Sequence, residues 1–295
     1  MFCSSQVFNT FQKKKDYLIA VDSDGCMFDV MELKHKECFI PNVIQYWGLQ
    51  SISKYVRETA EFINLYSRDR GVNRFIAYIK MLDLLDRREE VQRRNIKVPK
   101  MEGVKKWISN AAVLSNDALY KEAEKTGDAD LLKAYAWSKA SNESIKNMVH
   151  GVMPFPLAKE SLEKAAQLAD IVVVSSASAD ALEREWNEAG VGKCCSFMAG
   201  QEMGSKKYCL GQLKDMGYHR QNILMIGDAP GDQQAAKEND VLFYPIIPGT
   251  EENSWEKFYN EAFEYFIGGT YEGMYQKSLE ASFLNCLSHT PPWEE

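Results

Sequence analysis

Residues 17–29 read YLIAVDSDGCMFD. The first five, Tyr17 to Val21, are mostly apolar and partly β-branched, the composition of a short strand buried on both faces. The run stops abruptly at Asp22, Ser23, Asp24 and Gly25. With the chain extended, Asp22 and Asp24 point to the same side, and Gly25 lets the backbone leave sharply. Two neighbouring carboxylates repel, so the pattern asks for a compensating cation. Open α/β sheets place ligands beyond the carboxyl ends of their strands, which is where these acids fall.

Four further runs downstream read as strands: DIVVVSS (170–176), KCCSFMA (193–199), NILMIGD (222–228) and DVLFYPI (240–246). Helical patterns such as LAKESLEKAAQLA and LGQLKDMG precede them. This alternation from residue 157 onward predicts an α/β fold, a Rossmann-like parallel sheet covered on both faces. Polar groups again mark the strand ends. Ser175 and Ser176 close the second run, and Asp228 closes the fourth, with Asp232 following in GDAPGD. Lys206 and Lys207 stand at the start of a helix between the third and fourth runs. Asp228 supplies a third carboxylate for a hard divalent cation such as Mg²⁺. A lysine and a serine hydroxyl would complete a cradle for phosphate oxygens. Taken singly, Asp24 is equally a turn residue beside Gly25, Asp232 a helix N-cap, Ser175 a strand-end serine and Lys206 a solvated lysine. Their joint placement at successive strand ends is what gives them weight.

Residues 30–155 break the alternation. SISKYVRETAEFINLYS, NRFIAYIKMLDLLDRREEVQ, MEGVKKWISN and DADLLKAYAWSKASNESIKNMVHG carry helical spacing, and no strand is evident. So long a crossover predicts an inserted all-helical domain. The division is 1–29 with 156–295 for the α/β core and a helical C-terminal extension, and 30–155 for the insertion. The return falls near HGVMPFP, where prolines interrupt helix formation. The aromatics Trp255, Phe258, Phe263 and Phe266 of the extension read as core packing.

Composition sets the class. The chain has 295 residues, 45% hydrophobic and 26% charged, as in ordinary globular proteins. A net charge of −7 argues against a general nucleic-acid binder. The seven cysteines include no CxxC pair, so a structural zinc site is not expected and a reducing cytoplasm fits best. No apolar run is long enough to span a membrane. The N-terminal stretch MFCSSQVFNTFQKKK has its lysines after the apolar part, the wrong order for a secretory signal, and reads as a docked arm. The first run lacks the glycine-rich loop of a dinucleotide site.

Four motifs, VDSDG, VVVSS, GSKK and IGDAPGD, occur in this order on matching elements. Together they resemble the haloacid dehalogenase-like (HAD) hydrolase superfamily over about residues 17–29 and 157–246. An insertion directly after the first motif is similar to a large helical C1-type cap. The resemblance implies Asp22 as the nucleophile that takes a phosphoryl group and Asp24 as general acid, then base. It implies Mg²⁺ on Asp22, Asp228 and the backbone carbonyl of Asp24. Ser175, or Ser176 if the strand runs one residue longer, would hold phosphoryl oxygens. Lys206, or its neighbour Lys207, would supply positive charge, and Asp232 would orient Lys206 or a metal-bound water. An aspartate two residues after the nucleophile suits a phosphomonoesterase acting on a small phosphorylated metabolite. A phosphomutase uses the same groups, and a catalytically inactive binding protein is the contrasting expectation. In the insertion, Arg70 and Arg74 flank Gly71 beside Arg68, and would either bind an anionic substrate or form a solvated turn. Residues 27–39 read as hinge and entrance, with His35 and Glu37 as candidate lining. Gly25 shapes the substrate edge of the site. Neither a nucleic-acid nor a membrane partner is expected, and the aromatic C-terminal segment leaves a homo-oligomer open.

Overall fold

Five strands form one parallel sheet in the computed structural model, which describes Phe8 and residues 11–294. The N-terminal arm read from the sequence lies otherwise, up to Thr10, outside the described residues. The strands are β1 (Tyr17–Val21), β2 (Ala169–Val174), β3 (Phe197–Ala199), β4 (Ile223–Gly227) and β5 (Leu242–Pro245). The longer helices are α1 (Ile40–Trp47), α2 (Ser53–Glu61), α3 (Arg74–Arg87), α4 (Glu102–Asn110), α5 (Asn116–Thr126), α6 (Ala129–Met148), α7 (Ala158–Ala165), α8 (Ala179–Glu188), α9 (Lys206–Lys214), α10 (Pro230–Glu238), α11 (Glu251–Lys257), α12 (Phe263–Ile267) and α13 (Met274–Cys286). By contacts the chain divides into an α/β unit, Met1–Met31 with Gly151–Leu287, and a helical unit, Glu32–His150 with Ser288–Glu295.

In the α/β unit the strand order is β3-β2-β1-β4-β5. The chain winds from β1 outward to β3, then returns to the other side of β1 for β4. The switch point therefore lies between β1 and β4, the position where doubly wound sheets bind ligands. Strand residues from Leu18 to Val21 and throughout β2 and β4 are buried. Leu18, Ala20, Val172, Val174, Ile223 and Met225 belong to one hydrophobic cluster together with Leu210, Leu213 and Phe283. Their alternates Ile19, Val21, Ile171 and Val173 are buried as well. Burial on both faces explains the continuous apolar runs, each large aliphatic side chain contributing about 1.5–3 kcal/mol.

The helical unit has its own core, which includes Trp47, Phe75, Tyr78, Trp107 and Trp137. Its helices start at side-chain caps. Asn73 accepts from Phe75 N at 3.0 Å before α3, Ser115 from Ala118 N at 3.2 Å before α5, and Asp128 from Asp130 N and Leu131 N before α6. Pro41 sits at the start of α1, where its missing N–H costs least. The sequence keeps residues 288–295 with the α/β core, but by contacts they cluster with the helical unit. Ser288 N donates to Tyr66 O, and Arg68 N donates to Ser288 O, both at 3.2 Å. Arg88, only 4% exposed, lies 4.1 Å from the Trp293 ring centre and 4.8 Å from that of Tyr55. Its guanidinium also pairs with Glu58 at 2.7 Å and Glu90 at 3.1 Å. Among the described residues, no helix is long and apolar enough to cross a membrane.

Trp293→Ala removes the indole face over a buried guanidinium and an edge contact with Phe62 at 5.8 Å. We predict a stability loss of about 2 kcal/mol. Denaturant unfolding should show it, with faster amide exchange at Arg68 and Ser288. An unchanged unfolding midpoint would show that the tail carries no stability.

Candidate active site

The strand registers bring the candidate residues to one sheet edge. Val21 pairs with Val173 on one side and Ile226 on the other. Asp22 follows Val21, while Ser175 and Asp228 each lie two residues beyond those partners. β1 ends at Val21, so Asp22 and Asp24 sit on the loop past the strand, not on extended strand as the alternation implied. Asp22 N still donates to Ile226 O at 3.0 Å, which holds the first loop residue to β4. Beyond it the chain closes on itself. Met27 N and Phe28 N both donate to Ser23 O, and Gly25 N donates to Phe28 O at 2.9 Å. Gly25 has φ of 75°, the left-handed region that the turn requires. Asp22 is buried and Asp24 half-buried.

The centre is a group of buried charges. The carboxylates of Asp22, Asp228 and Asp232 offer oxygens that all lie within 4.8 Å of one another. Lys206 Nζ donates to Asp22 Oδ2 and, at 2.5 Å, to Asp232 Oδ1. The other Asp22 oxygen accepts from Ser23 N at 2.7 Å, and the other Asp232 oxygen from Ala229 N at 3.1 Å. Both oxygens of Asp232 are thus engaged, one positioning the lysine and one capping α10. Gly227 makes this approach possible, because a Cβ there would collide with the Asp232 side chain. Lys207 points elsewhere, exposed and paired with Glu238 at 3.1 Å. At the second strand end Ser175 is buried and Ser176 exposed. Ser175 N donates to Ala199 O at 3.0 Å, and its Oγ accepts from Ala177 N at 3.3 Å.

Burial works to lower the Lys206 ammonium, yet Asp22 and Asp232 hold it above its ordinary value. For Asp232, burial pushes the carboxyl up and the charges of Asp22 and Asp228 add to it, against the pull of Lys206. Three acids around one ammonium leave an excess of negative charge. An all-oxygen donor set with that excess fits a hard divalent cation. Cys26 is fully buried beside the acids, its thiol pushed well up by burial and by Asp228 and Asp22. It is inert as a nucleophile.

Two residues of this site carry no local sequence signal. Trp186 of α8 donates from Nε1 to Ser23 Oγ at 3.0 Å, and Trp255 of α11 donates to Cys26 O at 2.8 Å. Both indoles are fully buried and brace the loop that carries Asp22 and Asp24. Arg70 and Arg74 belong to the helical unit. Arg70 is not on a solvated turn: it is buried, and its Nη1 donates to Leu65 O at 3.0 Å. Arg74 donates to Ser138 Oγ at 3.1 Å and Asn142 Oδ1 at 2.5 Å. His35 lines a recess within that unit, and Glu37 is exposed.

The profile of the haloacid dehalogenase-like hydrolase family matches residues 97–245, a span that includes Ser175, Lys206, Asp228 and Asp232 and begins after β1. A candidate phosphoglycolate phosphatase from Lactobacillus delbrueckii subsp. bulgaricus is similar in structure, with a TM-score of 0.51 at 14% identity, covering 84% of this chain and 100% of that one. A candidate haloacid dehalogenase-like hydrolase from Bacteroides fragilis has a TM-score of 0.50 at 13% identity, covering 81% and 92%. At these identities the likeness concerns the fold. No curated protein matches the sequence.

The upward push on Asp232 has a sign that can be measured. A carboxyl raised on folding binds more protons in the folded than in the unfolded chain, between the ordinary value of 3.8 and about 7. Its contribution is present below that window and lost as pH rises through it. In chelator, Asp232→Asn should therefore flatten the fall of unfolding free energy across this range, while Asn still accepts from Lys206. Parallel pH profiles for the two proteins would refute the assignment.

Proposed function

This chain belongs to the haloacid dehalogenase-like hydrolase family, and we propose that it is a Mg²⁺-dependent phosphomonoester hydrolase acting through an aspartyl-phosphate. One observation supports this above all: a buried aspartate at the switch point, ion-paired to Lys206, with a second aspartate two residues on.

The chemistry follows from the side chains. A carboxylate oxygen of Asp22 attacks phosphorus, and the bond from phosphorus to the ester oxygen breaks. Asp24, as general acid, gives a proton to the departing alkoxide. Asp24 then takes a proton from water, whose oxygen attacks the phosphorus of the acyl phosphate. Inorganic phosphate leaves and the Asp22 carboxylate is restored. Lys206 orients Asp22 and offsets charge on the phosphoryl oxygens, and Asp232 positions Lys206. Ser175, buried at the end of β2, is the hydroxyl suited to hold a phosphoryl oxygen. Asp22, Asp228 and the Asp24 carbonyl are the groups that would hold Mg²⁺. When bound, the ion supplies charge neutralisation for phosphate beside the carboxylates.

A large helical insertion directly after the nucleophile loop suits an enzyme of small substrates. Small phosphorylated metabolites are therefore the proposed class. Phosphoglycolate, named for the Lactobacillus protein, is the first ester to try.

Phosphate release from a panel of small phosphomonoesters tests the proposal. Turnover should require Mg²⁺, stop with chelator, and fall at least about 10³-fold in Asp22→Asn. Asp24→Asn should cost about 10²–10⁴-fold on alkyl esters; with p-nitrophenyl phosphate the first release of phenolate should lose much less, because that leaving group needs no proton, while steady turnover stays slow because Asp24 also activates the water. Activity that survives Asp22→Asn, or that ignores chelator, would defeat the mechanism.

A further inference from the structure

We infer that Trp186 and Ser23 form a positioning pair that sets Asp24 for proton transfer. This rests on the phosphatase reading and deepens it, by naming residues outside the reacting groups on which its acid/base step depends.

Ser23 stands between the two acids and is fully buried. Its N donates to Asp22 Oδ1 at 2.7 Å, and its O accepts from Met27 N at 2.9 Å and Phe28 N at 3.1 Å. Its Oγ accepts from Trp186 Nε1 at 3.0 Å, a donor 163 residues away on α8. A buried indole N–H needs an acceptor, and a nearby carbonyl would satisfy core packing alone. Here the acceptor is a side chain placed between a nucleophile and an acid. Of the six tryptophans in the chain, Trp186 and Trp255 both aim their N–H groups into this one loop, from different helices.

The two acids differ in what else holds them. Asp22 N donates to Ile226 O at 3.0 Å, its Oδ1 accepts from Ser23 N, and its Oδ2 accepts from Lys206. All three contacts survive without the Trp186 indole. The backbone of Asp24 is placed through its neighbours on either side. Ser23 precedes it, and Phe28 pairs with it in a parallel bridge, with Gly25 N donating to Phe28 O at 2.9 Å. The Phe28 ring in turn meets Trp186 edge-on, 5.7 Å between centres at 84°. Both supports therefore rest on one indole, and its loss falls on Asp24 more than on Asp22.

The helix beneath that indole makes a second connection. Ser178 caps α8, its Oγ accepting from Ala181 N at 3.4 Å, and Ser175 lies three residues before the cap. One rigid helix thus links the serine suited to a phosphoryl oxygen with the loop that delivers the proton. A misplacement of about 1 Å in such a constellation can cost about 10²-fold in rate.

First-turnover and steady-state kinetics of the full chain test this, with Mg²⁺, on p-nitrophenyl phosphate and on the best alkyl ester of the panel. Trp186→Phe keeps an aromatic edge and removes the N–H, while Ser23→Ala removes only the acceptor oxygen. Each should lower kcat on the alkyl ester about 10–100-fold and leave KM within about twofold. The first release of phenolate should fall no more than about threefold, because that leaving group needs no proton. A merely structural contact would not separate the two leaving groups. The double variant should lose no more than the worse single one, since both remove one contact. If Trp186→Phe does not fold, Ser23→Ala carries the test alone, and its failure to fold overturns the inference by making the contact structural. Equal losses on both leaving groups, a raised KM with unchanged kcat, or losses that add in the double variant overturn this inference and leave the phosphatase reading standing. A wild type inert on every ester, or turnover that survives Asp22→Asn, sinks that reading and this inference with it.

Discussion

The ion pairs of Lys206 with Asp22 and Asp232 constrain the rest of the α/β unit. Removing charges from water costs several kcal/mol per ion after relaxation, on the order of magnitude known for buried pairs, and only good geometry recovers it. That geometry needs β1 and β4 adjacent, Gly227 bare beneath Asp232, and α9 starting at Lys206 itself. Two lysines in the first turn of α9 oppose the helix dipole, at about 0.3–1 kcal/mol each. Lys207 finds compensation in Glu238, and Lys206 in the two aspartates. A helix start that contradicts local preference is thus accounted for by what it faces across the sheet edge.

The loop after β1 imposes a second requirement. Residues 22–28 turn back on themselves in the interior, so their backbone groups must be satisfied there. Ser23 O takes two amide donors from within the loop, and Cys26 O takes the Trp255 indole. Trp186 closes the other side, through Ser23 Oγ and an edge-on contact with Phe28 at 5.7 Å. A nucleophile needs a fixed position more than it needs reactivity of its own, and two rigid indoles provide it with little conformational freedom to lose.

Much of this was legible in the sequence, for physical reasons that differ by element. β1, β2, β4 and β5 fall within or on the apolar runs, because strands covered on both faces leave a continuous signal. Asp22, Asp228 and Asp232 could be picked out because strand ends converge by topology, whatever the side chains between them, whereas Lys206 and Lys207 are separated only by the structure. Ser175 and Ser176 could not be told apart by pattern. The end of β2 at Val174 buries the first and exposes the second. α1 and α5 were not read as helices. Pro41 and the lysines before it disguise α1, and α5 carries few buried positions, Leu119 and Ala123, to set a period. The roles of Trp186 and Trp255 depend on partners 163 and 229 residues away, which no local pattern encodes. Arginines beside Gly71 read as either an anion site or a solvated turn for the same reason. Composition shows the charge but not the Leu65 carbonyl that Arg70 faces.

The C-terminal tail shows how far connectivity and packing can diverge. α13 ends at Cys286 within the α/β unit, and from Ser288 the chain belongs by contact to the helical unit. The chain therefore passes between the units three times, at residues 31–32, 150–151 and 287–288. An insertion needs two such passages, so the third is an added tether. Its anchor is not apolar burial alone. Arg88 is held between Trp293 and Tyr55 while two glutamates take its charge, a contact with a direction as well as a strength. Backbone hydrogen bonds from Ser288 to Tyr66 and Arg68 fix the register of the tail at its start. Detaching the tail from the helical unit must break these contacts. The free energy of the Arg88–Trp293 contact thereby enters the cost of every conformation in which the tail is detached.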